Sequence, residues 1–450
     1  MSTPRAQLRW PEEQITGSQS PQWLATARMM RRSGFGATGR EIDAVVNREW
    51  RAYLDEVLDL DPAADPGAIA TPMASYSTPA LPASEATTAP FVSSMLAQMQ
   101  DLSGWWIRRM VAVRQPIHEK LTFVWHNHFA TSAEKVVAAE FMAAQNQTLR
   151  THTLGDFRDL AYAILTDSAM LRWLDGLGNT KEAPNENLSR EFMELFALGH
   201  DNGYNESDVR EGARALTGRF DTLGRGTLLV AEHHDGGSKT ILGKTGPFGD
   251  NDFCDIVVGH PASARFVSSK LWRLLASDTD PSEAASARLV AAYGPNRDLK
   301  ALTKAIFLDP DFTAGAGTSV VTPVEWLVGM LRSLSVPLDG PDTLTACDVV
   351  LKVMGQRPFA PPDVDGWPQG RVWLSNTSAA ARVWAADRFV PLGDLSLVSD
   401  AAPGDRIDAA GYLLGIGAWT DTTAGALKPL ADRPDRLVAA AVNTPEYLTV

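Results

Sequence analysis

The side chains best able to move protons or grip a cation lie in three short stretches of the chain. The densest is NENLSREFMELFALGHDNGYNESDVREGARALTGR, residues 185–219. Its charges fall at helical spacing. In a helix from about residue 185 to 198, at roughly 100° per residue, Leu188, Phe192, Leu195, Phe196 and Leu198 share one apolar face. Asn187, Glu191 and Glu194 form a strip at its edge, with Arg190 beside them. Glu186, Arg190 and Glu194 make a second row. An exposed ion pair, worth about 0.2–0.5 kcal/mol, accounts for Glu186 with Arg190. It does not account for Glu191, since a carboxylate on an apolar edge loses hydration unless it is paired. Paired carboxylates suit general acid/base work or metal ligation. A buried Arg–Glu network meets the same requirement, so both readings stand.

The second stretch is WHNHF, residues 125–129. On a strand, His126 and His128 would point the same way and could hold one metal ion. On a helix, the preferred reading, they diverge by about 200°. His128 then lies among Leu121, Val124 and Trp125, while His126 faces the Thr122 side. A core histidine with one hydrogen bond is the bland alternative. The third stretch, EHHDGGSKTILG, groups Glu232, His233, His234, Asp235 and Lys239 beside a glycine turn. It is either a plain hairpin tip or a base, its orienter and a charge clamp. The catalytic candidates are therefore Glu191, Glu194, His128, His234, Lys239 and Arg190. The candidate ligands for a divalent metal ion are His126, His128, Glu191, His234 and Asp235. Trp367 and Trp373, in a Pro/Gly-rich loop at 354–376, could wall a sugar-sized pocket, though such residues more often simply pin a long loop to the core. With the paired carboxylates they suggest a carbohydrate substrate. The phosphate-loop, G-x-S-x-G and H-E-x-x-H patterns are absent.

The elements that must position these groups read as mainly α. Apolar residues recur at helical spacing through most of the chain. Gly and β-formers dominate near residues 220–250, which predicts a small β-hairpin with its turn at Asp235, Gly236 and Gly237 inserted in a large multi-helix body. Asn205 is placed to cap the second helix of the charged stretch, and Arg214 to pair with the carboxylate strip or bind an anionic ligand. Residues 1–20 form a polar tail. Residues 21–450 read as one helical domain, crossed by a Pro/Ala-rich linker or extended segment at 61–90.

Bulk properties narrow the function. Of 450 residues, 44% are hydrophobic and 21% charged, which is globular. The formal net charge of −13 and the lack of a basic run argue against a nucleic-acid or anionic-membrane partner. The two cysteines, Cys254 and Cys347, form no C-x-x-C pair, so a disulfide framework or structural zinc is not expected. The N-terminus shows no apolar signal region and no window suggests a membrane span. A soluble cytoplasmic protein is the expectation.

WHNHFATS, NENLSREFMELFALG, YNESDVREGARALTG, HDGGSKTILG, HPASARFVSSKLWR, TPVEWLVGMLRSL and MGQRPFAPPDVDGW occur in this order. Together the chain resembles the domain-of-unknown-function-1800 family of bacterial proteins, from about Met29 to the NTPEY near the C-terminus. The resemblance implies a large, mainly helical protein and no particular reaction. Family members are often encoded beside proteins that resemble sulfatases and alkaline phosphatases, and many carry export signals not visible here. The family's polar positions map onto His128, Asn185, Glu186, Asn187, Arg190, Glu191, Glu194, Asp208, Arg214, His234, Asp235 and Lys239. Two functions are expected to compete. One is a hydrolase or group-transfer enzyme, acid/base or metal-assisted, with its site where the three stretches meet. The other is a non-enzymatic helical scaffold, partner to a sulfatase- or phosphatase-like protein encoded nearby.

Overall fold

The computed structural model describes residues 15–16, 19–79, 85–222, 226–315 and 318–450. Most of the 1–20 tail and residues 80–84 of the crossing segment lie outside them. The described chain is mainly α, with small two-stranded sheets. Local chemistry sets many helix starts. Ser20 accepts the Trp23 N–H at the head of Pro21–Ser33, and Asp156 accepts the Arg158 N–H at the head of Phe157–Leu165. Each replaces a hydrogen bond that the first helical turn cannot make for itself. Residues 38–60 hold two helices, Gly39–Asp43 and Trp50–Asp59.

Two long helices in sequence organise the body: α1, Glu85–Ala112, and α2, Ile117–His128. Every residue of α2 is buried. A helix buried on all sides must run through the middle of its protein, and α2 separates two hydrophobic cores. Phe123 belongs to one, with Trp106, Trp326 and Phe359. Leu121, Val124, Trp125 and Phe129 belong to the other, with Phe157, Phe192 and Phe196.

Charges on α2 are matched inside the protein. Glu119 accepts from Trp106 Nε1 at 3.0 Å, Arg109 Nε at 3.2 Å, and Arg150 Nε and Nη2 at 2.8 and 2.9 Å. Lys120 pairs with Glu325. The same network fastens the described part of the crossing segment. Arg109 Nη1 donates to Ala68 O at 2.7 Å and Trp105 Nε1 to Thr71 O at 3.0 Å. Asp65 caps Pro66–Ala70 and also takes the N–H groups of Arg114 and Gln115, each at 2.9 Å.

The β insertion differs from expectation. Arg219–Asp221 pairs with Thr227–Leu229, and Lys239–Ile241 pairs with Lys244–Gly246. There are thus two short hairpins, and the HHDGG segment connects them. The tight turn falls at Leu242 and Gly243, both at positive φ as a two-residue hairpin turn requires. Asp235 forms an Asx turn within the connection instead, its carboxylate taking the Gly237 N–H at 2.8 Å and the Arg214 guanidinium at 2.7 Å.

Candidate functional site

The charged stretch folds as α3, Asn187–Glu191, which runs directly into a π-helical turn, Phe192–Ala197. Leu198 N bonds Met193 O at 2.8 Å, five residues back. The regular 100° wheel therefore fails after Glu191, because a π turn holds more residues. Such turns are rare and collect at functional sites. The second helix, α4, is Glu206–Ala215, with Asn205 and Asp208 in a reciprocal capping box.

The last carbonyls of the π turn have no helical partner and take side-chain donors instead. His128 Nε2 donates to Phe196 O at 2.9 Å. Lys270, on helix α5, Pro261–Leu275, donates from Nζ to Leu195 O at 3.1 Å. Asp365 Oδ1, from the 354–376 loop, lies 3.8 Å from the same ammonium. Burial lowers the Lys270 pKa to about 8, against the pull of Asp365 and with a push from Arg273.

Glu191 lies next to this junction. It is half-buried and makes no hydrogen bond or ion pair among the described residues. Burial, then the charge of Glu194, raise its pKa; Arg190 and His200 oppose that, and Asp365 adds to it. Glu194 meets His200 Nδ1 at 2.5 Å. Burial and Glu194 also push the Tyr204 phenol up to about 12. Glu191, Glu194, His200, Lys270 and Asp365 thus form one electrostatic group. His200 and Asp365 keep 67% and 74% of their side-chain surface, so the group opens to solvent.

The remaining candidates are placed elsewhere or are already engaged. Arg190 clamps α3 to α4 through Glu186 at 3.0 Å and Glu206 at 2.7 and 2.8 Å. Arg214 pairs with Glu211 at 2.8 Å and Asp235 at 2.7 Å, not with the carboxylate strip. Lys239 is buried and donates to the carbonyls of Asp235 and Gly237, the latter at 3.0 Å, so it pins its own loop. His234 bonds Thr217 O through Nδ1 at 3.0 Å. His128 is enclosed by Trp125, Phe129, Phe157 and Phe196, and burial holds its pKa well below the ordinary value. It is a core histidine.

His126 faces the other core, among Trp106, Phe359 and Trp367. Its Nε2 has no partner, and burial lowers its pKa to about 3. The helical divergence of the two histidines is therefore what α2 shows. The expected metal set, His126, His128, Glu191, His234 and Asp235, does not assemble. Among the described residues, no group of three or more His, Cys, Asp and Glu side chains is placed to hold a metal ion. Of the two readings of Trp367 and Trp373, burial supports the loop-pinning one and not the sugar wall. Trp367 and Trp373 are each 3% exposed, and Trp367 stacks on Phe123 at 5.3 Å. They anchor the loop to the core. Asn127, between the two histidines, helps them: its Oδ1 accepts the Trp367 N–H at 2.7 Å.

Lys270, Asp365, His200 and Tyr204 were not singled out by type and spacing. A signal existed for Lys270, which interrupts an apolar helical row of Phe266, Val267, Leu271 and Leu274. Among the described residues, no helix is long and apolar enough to cross a membrane.

The model of the family described as protein of unknown function (DUF1800) matches residues 28–449, nearly the whole chain. The chain belongs to the DUF1800 family. No curated protein and no solved structure matches it. The π turn, both of its side-chain caps and the Asp365 loop all lie within the DUF1800 match.

Proposed function

We propose that the Glu191–Lys270 group is an acid/base site and that the protein is a hydrolase or related group-transfer enzyme. One observation carries the reading. Glu186, Glu206, Asp208 and Glu211 all have named partners on α3, α4 or the adjoining loops. Glu191 has none among the described residues, although it is half-buried, and Lys270, which shares the Asp365 charge with it, is nearly buried with an ammonium only weakly compensated by that carboxylate. A carboxyl biased toward its protonated form and an amine biased toward its neutral form are matched to proton transfer near neutral pH. Glu191 would donate a proton to a leaving group. Lys270 would accept one, or as a cation stabilise developing negative charge, with Asp365 orienting it.

The test is turnover of a panel of esters, phosphoesters and glycosides by wild type, Glu191→Gln and Lys270→Met. Loss of one proton-transfer group is expected to lower kcat about 10²–10⁴-fold with folding intact. Full turnover by both variants would remove these residues from the mechanism. No turnover and no ligand-induced stabilisation of wild type would remove the hydrolase reading.

A second reading, a helical partner for another protein, has one observation in its favour. Val349 and Val353 on Pro341–Met354, and Val383 and Trp384 on Asn376–Phe389, are about half exposed on neighbouring helices. Exposed apolar surface of this kind marks interaction sites. Trp384→Glu would then abolish a complex seen by native mass spectrometry and leave Glu191-dependent turnover unchanged.

A further inference from the structure

A separate cavity of about 30 Å³ lies where α2, α5, the helix Pro323–Ser333 and the 354–376 loop meet. Its polar lining includes Arg32, Lys120, Asn127, Arg273, Asp278, Glu325 and Gln356. A water needs roughly 10–15 Å³ by the same measure, so the space suits two or three heavy atoms.

Hydrogen bonding in this lining is lopsided. The acceptors are engaged. Asp278 takes Ser319 Oγ at 2.7 Å and Val320 N at 3.0 Å. Glu325 takes Lys120 on one oxygen and Thr322 N on the other at 2.8 Å. Asn127 Oδ1 takes Trp367 N at 2.7 Å, and Gln356 Oε1 takes Val324 N at 2.9 Å. Those backbone donors fix both amide orientations, because an N–H can be met by the amide oxygen alone.

The donors are left over. Lys120, 2% exposed, uses one of its three ammonium hydrogens. Arg32, 3% exposed, gives Nε and Nη2 to the Leu275 and Leu274 carbonyls and leaves Nη1 without a partner among the described residues. The amide nitrogens of Asn127 and Gln356, in residues more than nine-tenths buried, also have no acceptor among the described residues. Glu325 and Asp278 lie in the lining with Lys120 and Arg32, so the surplus is one of donors rather than of charge. Arg273, paired with Asp280 at 2.9 Å and 35% exposed, stands at the solvent side. A water offers these leftover donors two lone pairs, whereas a carboxylate offers about four and can meet them together.

We infer that this cavity binds the carboxylate of a small molecule, held by Lys120, Arg32, Asn127 and Gln356, with the rest of the ligand leaving past Arg273. The site shares no residue with the Glu191 group, so it stands or falls independently of the acid/base reading.

Sodium formate and sodium acetate, titrated against sodium chloride at matched ionic strength, test the inference by thermal unfolding. Wild type should show a saturable rise in Tm with either carboxylate and not with chloride. Gln356→Glu and Asn127→Asp keep the oxygen that serves Val324 N or Trp367 N and replace the free donor with a repelling oxygen. Each should weaken formate binding at least about tenfold, as expected for loss of a hydrogen bond to a charged group. Absence of a carboxylate-specific rise in wild type, or equal rises in the variants, would overturn the site. Should the variants not fold, a wild-type crystal grown in formate decides. Density for formate between Lys120 and Gln356 supports the site, and ordered water alone in that space refutes it.

Discussion

Gly366→Ala is expected to be among the more damaging single-methyl changes in the loop that carries Asp365. Gly366 has φ +89°, a left-handed conformation. A β-carbon there would lie 2.4 Å from Asn127 Oδ1 and 2.5 Å from Asn127 O. The first of those oxygens is also the acceptor for the Trp367 N–H at 2.7 Å. Left-handed backbone costs a non-glycine residue about 1–2 kcal/mol. Displacing Asn127 leaves a buried N–H unmet, a further 1–3 kcal/mol or so. The sum is about 2–5 kcal/mol.

Gly178→Ala supplies the control, since Gly178 has φ +78° and nothing within 4 Å of the added carbon. It should cost the backbone term alone, about 1–2 kcal/mol. Urea unfolding followed by tryptophan fluorescence gives both values on one scale. Equal costs for the two substitutions would refute the contact between α2 and the loop as the source of strain.

Three further outcomes follow from ionisable side chains in different settings. Glu119→Leu leaves the Arg109 and Arg150 guanidiniums uncompensated and should cost about 3–5 kcal/mol in the same assay. Burial alone would raise the Glu119 pKa, but Arg150, then Arg109 and Trp106, outweigh it and hold the carboxyl below its ordinary value. Its stabilisation is therefore present above the unfolded pKa and lost as pH falls through the folded one. His126, lowered to about 3 by burial, stays neutral in the fold while its unfolded counterpart takes up a proton near pH 6.5. Stability should thus decline from about pH 6.5 toward pH 3, and His126→Phe should flatten that slope in unfolding curves taken across the range. Arg190→Gln, which removes half-exposed pairs with Glu186 and Glu206, should cost less than about 1 kcal/mol and matter less still in high salt, as salt-dependent denaturation would show.

Regular helices were legible in the sequence, and departures from them were not. The spacing of His126 and His128 predicts opposite faces because α2 is an unbroken α-helix. The same wheel misplaces residues after Glu191, since nothing in FMELFA announces a π turn. Arg214 and Asp235 are both visible as charges. Their pairing across 21 residues of chain depends on how the insertion folds back, which local spacing cannot encode. Lys270 escapes notice because a lysine in an apolar row usually snorkels to solvent. Here the end of the π turn presents the Leu195 carbonyl to its ammonium. Trp367 and Trp373 show the converse: residue types suited to a binding wall are held in the core by Phe123 stacking and the Asn127 hydrogen bond.

The protein interior poises Lys270 for proton exchange in a group that Asp365 links to an unpartnered Glu191. The most direct measurement is the NMR titration of ¹³Cε-labelled lysines, with the Lys270 resonance assigned through Lys270→Arg. A midpoint of about 8, set by burial against Asp365, is the predicted result. A midpoint near the ordinary lysine value of about 10.5 would contradict it.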